Sequence, residues 1–402
     1  MRLKSATTTT PSPCKRTTEN QGHQENDIRI ASFNLQNMFD RALALSSSNW
    51  EVGKAALEAH RALNLLFEKP VYSPADKAEM LALLDQHDLL QSDGGPLLVL
   101  RKIRGELFRH LAGEAVEIIA SGRRSWIGWV ELRSGPVDEV ATQNTARVIA
   151  AVGADIQAVV EAEDRTTMRL FNQRVISDIV QRGVRTTPFD QVMLVDGNDD
   201  RGIDVGLMTR AGYPILSIRS HVHDSDAHGP IFSRDCCEYQ VGTPSGGKIW
   251  VLVNHFKSKG FGNQKSNNEK RLRQTKRVRE IYEMHLKARE DRVVILGDFN
   301  EIPGNAPLDP LLREGSNLKD IADHPLFDNH GRPGTHGDCT ASGKLDYILL
   351  SPKLFAKVRA AGVERRGMWG GVNGTLWPHF AELQSPEQAA SDHAALWVDL
   401  KL

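Results

Sequence analysis

The segment Val293-Val294-Ile295-Leu296-Gly297-Asp298-Phe299-Asn300 carries the sharpest chemical signal in the chain. Its apolar run reads as a buried strand, and an Asp and an Asn two positions apart at the end of a strand project to one side. A carboxylate and an amide facing one spot can hold a metal, or orient a water while the amide donates to a nonbridging oxygen. An Asx turn after a strand explains the same pair. Asn254-His255-Phe256-Lys257-Ser258-Lys259 sets an imidazole and two ammonium groups at another strand end, chemistry suited to a phosphate and its developing charge. Ser391-Asp392-His393 places a carboxylate beside an imidazole, and Asp346 opens the apolar run Tyr347–Leu350. A hydrogen bond from His393 to Asp346 would fix the tautomer and leave the other ring nitrogen as base or acid near neutral pH. Glu161, directly behind Ile156–Val160, is either a hard oxygen donor for a divalent cation or a solvated strand-end carboxylate.

The elements that must position these groups are mostly short strands. Ile28–Phe33 leads into Asn34, and Val192–Val195, Val205–Met208 and Ile249–Val253 repeat the theme. Polar clusters follow several of them, where open α/β sheets place their sites; Ser391-Asp392-His393 instead precedes Ala394–Val398, at the entry of a last strand. Val140–Val152 has helical spacing and Trp126–Leu132 has period two. Between them and the first strand the texture changes. Ser48 with Glu51, and Ser73-Pro74 with Asp76, are helix starts. Leu97–Leu111 and Ala115–Ala120 also read as helix, although Gly105 interrupts the first. The expectation is a mainly helical insertion at about 41–125, within a body spanning 27–402 and preceded by a disordered tail, 1–26.

From Lys265 to Arg292 there are ten Lys or Arg against five Asp or Glu, and Leu272, Thr275, Val278, Tyr282 and Leu286 form one helical face. The opposite, basic side is either an electrostatic track for a nucleic-acid backbone or a solvated charged face.

The 402 residues are 40% apolar and 25% charged with a net charge of −1, the balance of a globular protein with a full core. No run approaches 18 apolar residues, so no membrane span or membrane partner is expected. Cys14, Cys236, Cys237 and Cys339 have no C-x-x-C spacing, which argues against a disulfide framework. The first 25 residues lack the apolar core of a secretory signal, so the expected compartment is the cytoplasm.

Taken together, Asn34, Glu161 after ADIQAVV, NHFKS at 254–258, GDFN at 297–300, KLDYILL at 344–350 and SDH at 391–393 resemble, in order and spacing, the endonuclease/exonuclease/phosphatase superfamily. The resemblance covers about residues 28–40 and 141–402. It implies a four-layer α/β sandwich, two mixed sheets face to face with helices outside, and one metal-dependent phosphoesterase site at their shared edge. By matching position, Asn34 and Glu161 would bind the metal, with Asp392 completing or supporting its shell; Mg²⁺ is expected, with Mn²⁺ or Ca²⁺ as alternatives. Asp298 and Asn300 would position the attacking water and the phosphate, and His255 and His393, the latter oriented by Asp346, would bind the scissile phosphate and handle protons, with the base being His393 or Asp298. The family often has Gln before the Glu; Val160 stands there in this chain. DRGIDVGLMTR at 200–210 and NHFKSKG followed by NEKRLRQ look like the bacterial nuclease branch, which adds Arg201, Lys257 and Arg271 as candidate phosphate contacts. The expected activity is hydrolysis of DNA, or RNA, with low sequence specificity. The alternatives are a small-molecule or lipid phosphoesterase of the inositol phosphate phosphatase or sphingomyelinase type, with Trp126, Trp129, Trp369 and Trp377 lining its pocket, or a silent binding module. The insertion would serve as a lid, an oligomer contact or a platform for a protein partner.

Overall fold

The structure, a computed structural model, describes residues 27–36, 40–44, 50–111, 115–136, 139–181, 187–199, 202–260, 263–313 and 315–402. The expected tail, Cys14 and Arg201 lie outside them. Strand β1 (Asp27–Asn34) comes first. The insertion follows, with helices α1 (Trp50–Phe67) and α2 (Pro74–Gln86) and strands β2 (Leu98–Arg104) and β3 (Ile127–Leu132). Helix α3 (Glu139–Val152) leads into β4 (Ile156–Ala162), β5 (Gln191–Val195) and β6 (Asp204–Thr209). Then come β7 (Ile215–Arg219), β8 (Cys236–Gly242), β9 (Lys248–His255), helix α4 (Gln264–Lys287) and β10 (Val293–Asp298). Short strands β11 (Lys319–Asp320) and β12 (Phe327–Asp328) precede β13 (Asp346–Leu350), β14 (Val358–Glu364) and β15 (Ala395–Lys401).

These strands form two mixed sheets, in the orders β12-β14-β15-β1-β4-β6-β5 and β7-β8-β9-β10-β13-β11. Parallel pairs β1/β4 and β9/β10 sit at the centre of each, flanked by antiparallel neighbours. The strands are apolar on both faces because both are covered. In β9, Ile249, Val251 and Val253 join the core between the sheets, whereas Trp250 and Leu252 join the layer under Val278, Ile281 and Tyr282 of α4. In β1, Ile28 and Ile30 face the other sheet, and Ala31 and Phe33 face Ile149 and Val152 of α3. Helix, sheet, sheet and helix make the expected four-layer sandwich. Cys236, Cys237 and Cys339 are buried and free. No helix among the described residues is long and apolar enough to cross a membrane.

The insertion has a core of its own. Leu63, Phe67, Met80, Leu84, Leu98, Leu100, Trp126 and Val130 pack together, with Phe67 edge-on to Trp126 at 4.7 Å. Ser73 and Asp76 form the expected capping box of α2. The segment 97–120, expected to be helical, is instead β: β2 pairs antiparallel with β3, and Phe108–His110 with Val116–Ile118. Two facts override the helical spacing. Leu98 and Leu100 are buried on either side of half-buried Val99, a period-two pattern, and Gly105, at φ +76°, has the carbonyl of Ser125 where a Cβ would stand. The two ends of the insertion meet where Asp40–Ala42 pairs with Ser134–Pro136.

Candidate active site

The alternation that builds the inter-sheet core also builds the site. His255, Asp298 and Asp346 continue the inward-facing positions of Val253, Leu296 and Ile348, and Asn34 continues that of Ile30. The apolar face between the sheets thus ends in a row of polar side chains. Register places His255 beside Asp298 and Asp298 beside Asp346 on adjacent strands. The other sheet brings Asn34 beside Val160, the residue before Glu161.

Asp298 is the centre. It is 2% exposed, and its Oδ2 accepts from Asn34 Nδ2 at 3.2 Å and Asn300 Nδ2 at 3.0 Å, while Oδ1 accepts from the Asn300 N–H at 2.8 Å. The first of these bonds joins the two sheets. His255 Nε2 lies 3.7 Å from both Asp298 Oδ2 and Glu161 Oε1, and His393 Nε2 lies 4.0 Å from Asp298 Oδ2. Burial pushes the Asp298 carboxyl up to about 7, with His393 opposing and Asp346 adding to the rise. His393 Nδ1 is 2.8 Å from Asp346 Oδ2, the orienting contact expected from sequence. Burial alone would lower the imidazole's pKa; the charge and hydrogen bond of Asp346, with Asp392 and Asp298 nearby, hold it well above the ordinary histidine value.

Three backbone positions at the site are left-handed. Gln36, Glu161 and Asn300 all have φ between +50° and +60° without being glycine, a conformation costing about 1–3 kcal/mol each and typical of sites where structure over-determines a side chain. At Glu161 the left-handed turn breaks the strand alternation and brings the carboxylate to His255. Gly297, at φ +128°, permits β10 to approach β9: a Cβ would fall 1.9 Å from the carbonyl of Asn254.

Ser391 is a residue whose role the sequence reading missed. Its Oγ donates to the Asn34 carbonyl at 2.7 Å and accepts from the His393 N–H at 3.0 Å, so one hydroxyl ties β1 to the start of β15. Gln36 Oε1 accepts from the Asp392 N–H at 2.9 Å. Thr335 Oγ1 accepts from the N–H groups of Leu345 and Asp346. Behind the site, Phe256, Phe299 and Tyr347 stack at 4.7 and 4.8 Å between centroids. His336 was also missed; it lies beside Asp392 and His393.

The basic candidates separate. Lys257 is half-buried beside the site, its N–H donating to Gln274 Oε1 at 2.9 Å. Arg271 is corrected: it has no exposed surface, and its guanidinium donates to the Lys257 carbonyl at 2.8 Å and to Glu301 at 3.1 Å. Glu301 also holds Lys259 at 2.6 Å. Arg271 therefore braces the 256–260 loop instead of facing a phosphate. Much of the basic side of α4 is likewise engaged, with Arg273 on Asp226, Arg277 on Asp224 at 2.6 Å and Arg279 on Glu283 at 2.7 Å. The four tryptophans do not share a pocket. Trp126 is in the core of the insertion and Trp129 is exposed on β3, bonded to Glu131; Trp369 and Trp377 lie in the 365–390 loop, the first stacked on His379 and the second bonded to the Met368 carbonyl.

Asn34, Glu161 and Asp392 offer amide and carboxylate oxygens, the donors a hard divalent ion takes, and the carboxylates of Glu161 and Asp392 are 20% and 43% exposed, open to solvent and to an incoming ion. The donor set fits such an ion.

The chain is similar in structure to an endonuclease/exonuclease/phosphatase family protein from Bacteroides thetaiotaomicron (16% identity, TM-score 0.46, covering 65% of this chain and 86% of that one). It is similar also to a mannosyl-6-phosphatase from the same organism (15%, 0.45, 64% and 90%) and to truncated Caenorhabditis elegans TDP2 (14%, 0.43, 65% and 91%). No curated protein matches it. Residues 138–330 match the sequence profile of the endonuclease/exonuclease/phosphatase family, and the strand pairings add Asp346 and His393 from beyond that match to the same site. Over residues 138–330, therefore, the chain is similar to the endonuclease/exonuclease/phosphatase family.

Proposed function

We propose that the protein is a Mg²⁺-dependent phosphodiesterase that hydrolyses nucleic acid, DNA or RNA, with low sequence specificity. The observation that carries the reading is the convergence of Asn34, Glu161, His255, Asp298, Asn300, Asp346 and His393 at one sheet edge. Asn34 and Glu161, with Asp392 alongside, would hold the ion. When bound, it would polarise the phosphoryl group and stabilise the leaving oxyanion.

The residues divide the remaining work. Asp298, raised to about 7, has the basicity of a general base near neutral pH, and Asn34 and Asn300 fix both its oxygens. It orients the attacking water and takes its proton. His393, kept cationic by Asp346, and His255 receive the scissile phosphate and its growing charge, with the Asn300 amide beside them. Lys257 would add a further phosphate contact. Arg201 is retained as a candidate on sequence grounds alone.

A polyanionic substrate is favoured by Lys270. Burial pushes its ammonium below the ordinary lysine value, and Arg273, Arg234 and Arg61 push it further, against Asp199. Arg61 belongs to α1 of the insertion, so positive charge, part of it already paired in Arg273–Asp226 and Arg234–Asp199, reaches from α4 to the insertion, where a phosphate backbone would add counter-charge. No comparable observation favours the small-molecule or lipid alternative, since its tryptophans do not converge.

The test is a panel of plasmid, single-stranded DNA, RNA and phosphomonoesters, with Mg²⁺ or EDTA. Chelator-sensitive cleavage of phosphodiesters that weakens steeply with salt is expected. Turnover of monoesters alone, or undiminished cleavage in EDTA, overturns the reading.

A further inference from the structure

We infer that His336, Asp392 and His393 form a second metal site, one selective for a borderline transition ion such as Zn²⁺ and distinct from the oxygen-donor site on Asn34 and Glu161. His336 Nε2 is 3.4 Å from Asp392 Oδ2, and His393 Nε2 is 3.8 Å from Asp392 Oδ1. One donor atom from each of the three lies within 4.8 Å of the other two. Donor atoms around tetrahedral Zn²⁺ stand roughly 3.4 Å apart, so small side-chain rotations close the set.

The two imidazoles are brought together by the backbone. Residues 336 and 393 form an isolated antiparallel bridge, the Gly337 N–H donates to the Asp392 carbonyl at 2.9 Å and the Ala394 N–H to that of Thr335 at 2.7 Å. Their rings are 4.7 Å apart. His393 turns Nε2 toward the cluster because Nδ1 is held by Asp346, the carboxylate–imidazole arrangement that orients metal-bound histidines elsewhere. His336 is 40% exposed, which leaves room for water or substrate on an ion.

Two imidazole nitrogens and one carboxylate suit Zn²⁺, Fe²⁺ or Ni²⁺ better than Mg²⁺, which takes oxygen. Asp392 is common to both sites, and an ion on His393 Nε2 displaces the proton held there, which leaves to solvent, and occupies the nitrogen that the proposed hydrolysis uses. Zn²⁺ is therefore an inhibitor of the Mg²⁺-supported reaction. The inference rests on the functional reading only for that consequence; the binding stands apart from it.

The experiment titrates Zn²⁺ into the full chain in saturating Mg²⁺ by calorimetry, with Co²⁺ visible absorption as a second readout. Wild type should take up one Zn²⁺. His336→Ala, and His336→Gln as a second variant, should weaken that binding by at least about tenfold, relieve inhibition by Zn²⁺, and leave Mg²⁺-supported turnover and Tm near wild type. Unchanged Zn²⁺ affinity in both folded variants, or no uptake by wild type, overturns the site. Binding that depends on His336 in a protein that cleaves no phosphodiester would retain the site and reject the nuclease reading.

Discussion

Two histidine–carboxylate systems in this molecule use the same groups to opposite ends. At the sheet edge His393 gives one ring nitrogen to Asp346 and keeps Nε2 facing Asp298, Asp392 and the opening. On the outer face of the second sheet, Glu238 of β8 lies between two imidazoles: its Oε1 is 2.8 Å from His221 Nε2, and its Oε2 meets His285 Nε2. The other nitrogen of His221 lies 2.9 Å from Asp224, and that of His285 lies 2.9 Å from Glu290. Here each ring has both nitrogens committed, and Trp250 covers His285 at 4.6 Å. An imidazole with one nitrogen tethered can exchange a proton with a ligand; one tethered at both is a cross-link between β8, α4 and the 220–224 loop. Burial and acidic partners are shared, so neither marks a working histidine. The open nitrogen does.

The widest separation is expected from substitutions that remove a ring. His393→Ala should lower kcat/KM by about 10²–10⁴-fold with little change in Tm, read by steady-state kinetics beside thermal melts. Near-normal turnover would show that His393 belongs with the cross-linking class. His285→Ala should do the reverse. It leaves Glu238 short of a buried partner, at a cost of about 3–5 kcal/mol in denaturant unfolding, while kcat/KM of the folded fraction stays close to wild type.

A smaller effect sharpens the contrast through pH. Burial alone would raise the Glu238 carboxyl, but hydrogen bonds from His221 and His285 bring it down to about 2 from an ordinary 4.5. Its contribution is therefore in place above about pH 4.5 and is lost as pH falls toward 2. His221 is raised above its ordinary 6.5, burial being outweighed by Glu238 and Asp224, so its contribution is complete below about pH 6.5 and is lost as pH rises past the folded value. The cluster should stabilise most between about pH 4.5 and 6.5. Glu238→Gln should flatten the pH dependence of Tm on both sides of that window; an unchanged profile would assign the dependence to other groups.

The same contrast explains what could be read in the sequence. Strand-end residues such as His255, Asp298 and Asp346 were legible because period-two alternation continues from the apolar run into the polar residue, so the side each would face followed from its neighbours. The partnership of Asp346 with His393 was legible as chemistry. By contrast, Arg271 was named as a phosphate contact from its place in NEKRLRQ, and its partner, Glu301, thirty residues on, carries no mark in the sequence. His336 sits in a Thr-His-Gly-Asp turn with no ligand spacing of its own; only the bridge to residue 393 makes it a neighbour of Asp392. Residues 97–111 carry leucines compatible with either period, and hairpin pairing with Ile127–Leu132, a contact distant in sequence, decided for strand.

The pairing of β1 with β15, Asp27 opposite Lys401 and Ser32 opposite Leu396, sets an order of events during synthesis. Asn34 enters its final surroundings only after residues near 400 have left the ribosome, whereas the insertion closes its own core from nearby segments. The surroundings of Asn34 thus depend on a pairing about 365 residues away, whereas the core of the insertion is closed by residues no farther on than Leu132.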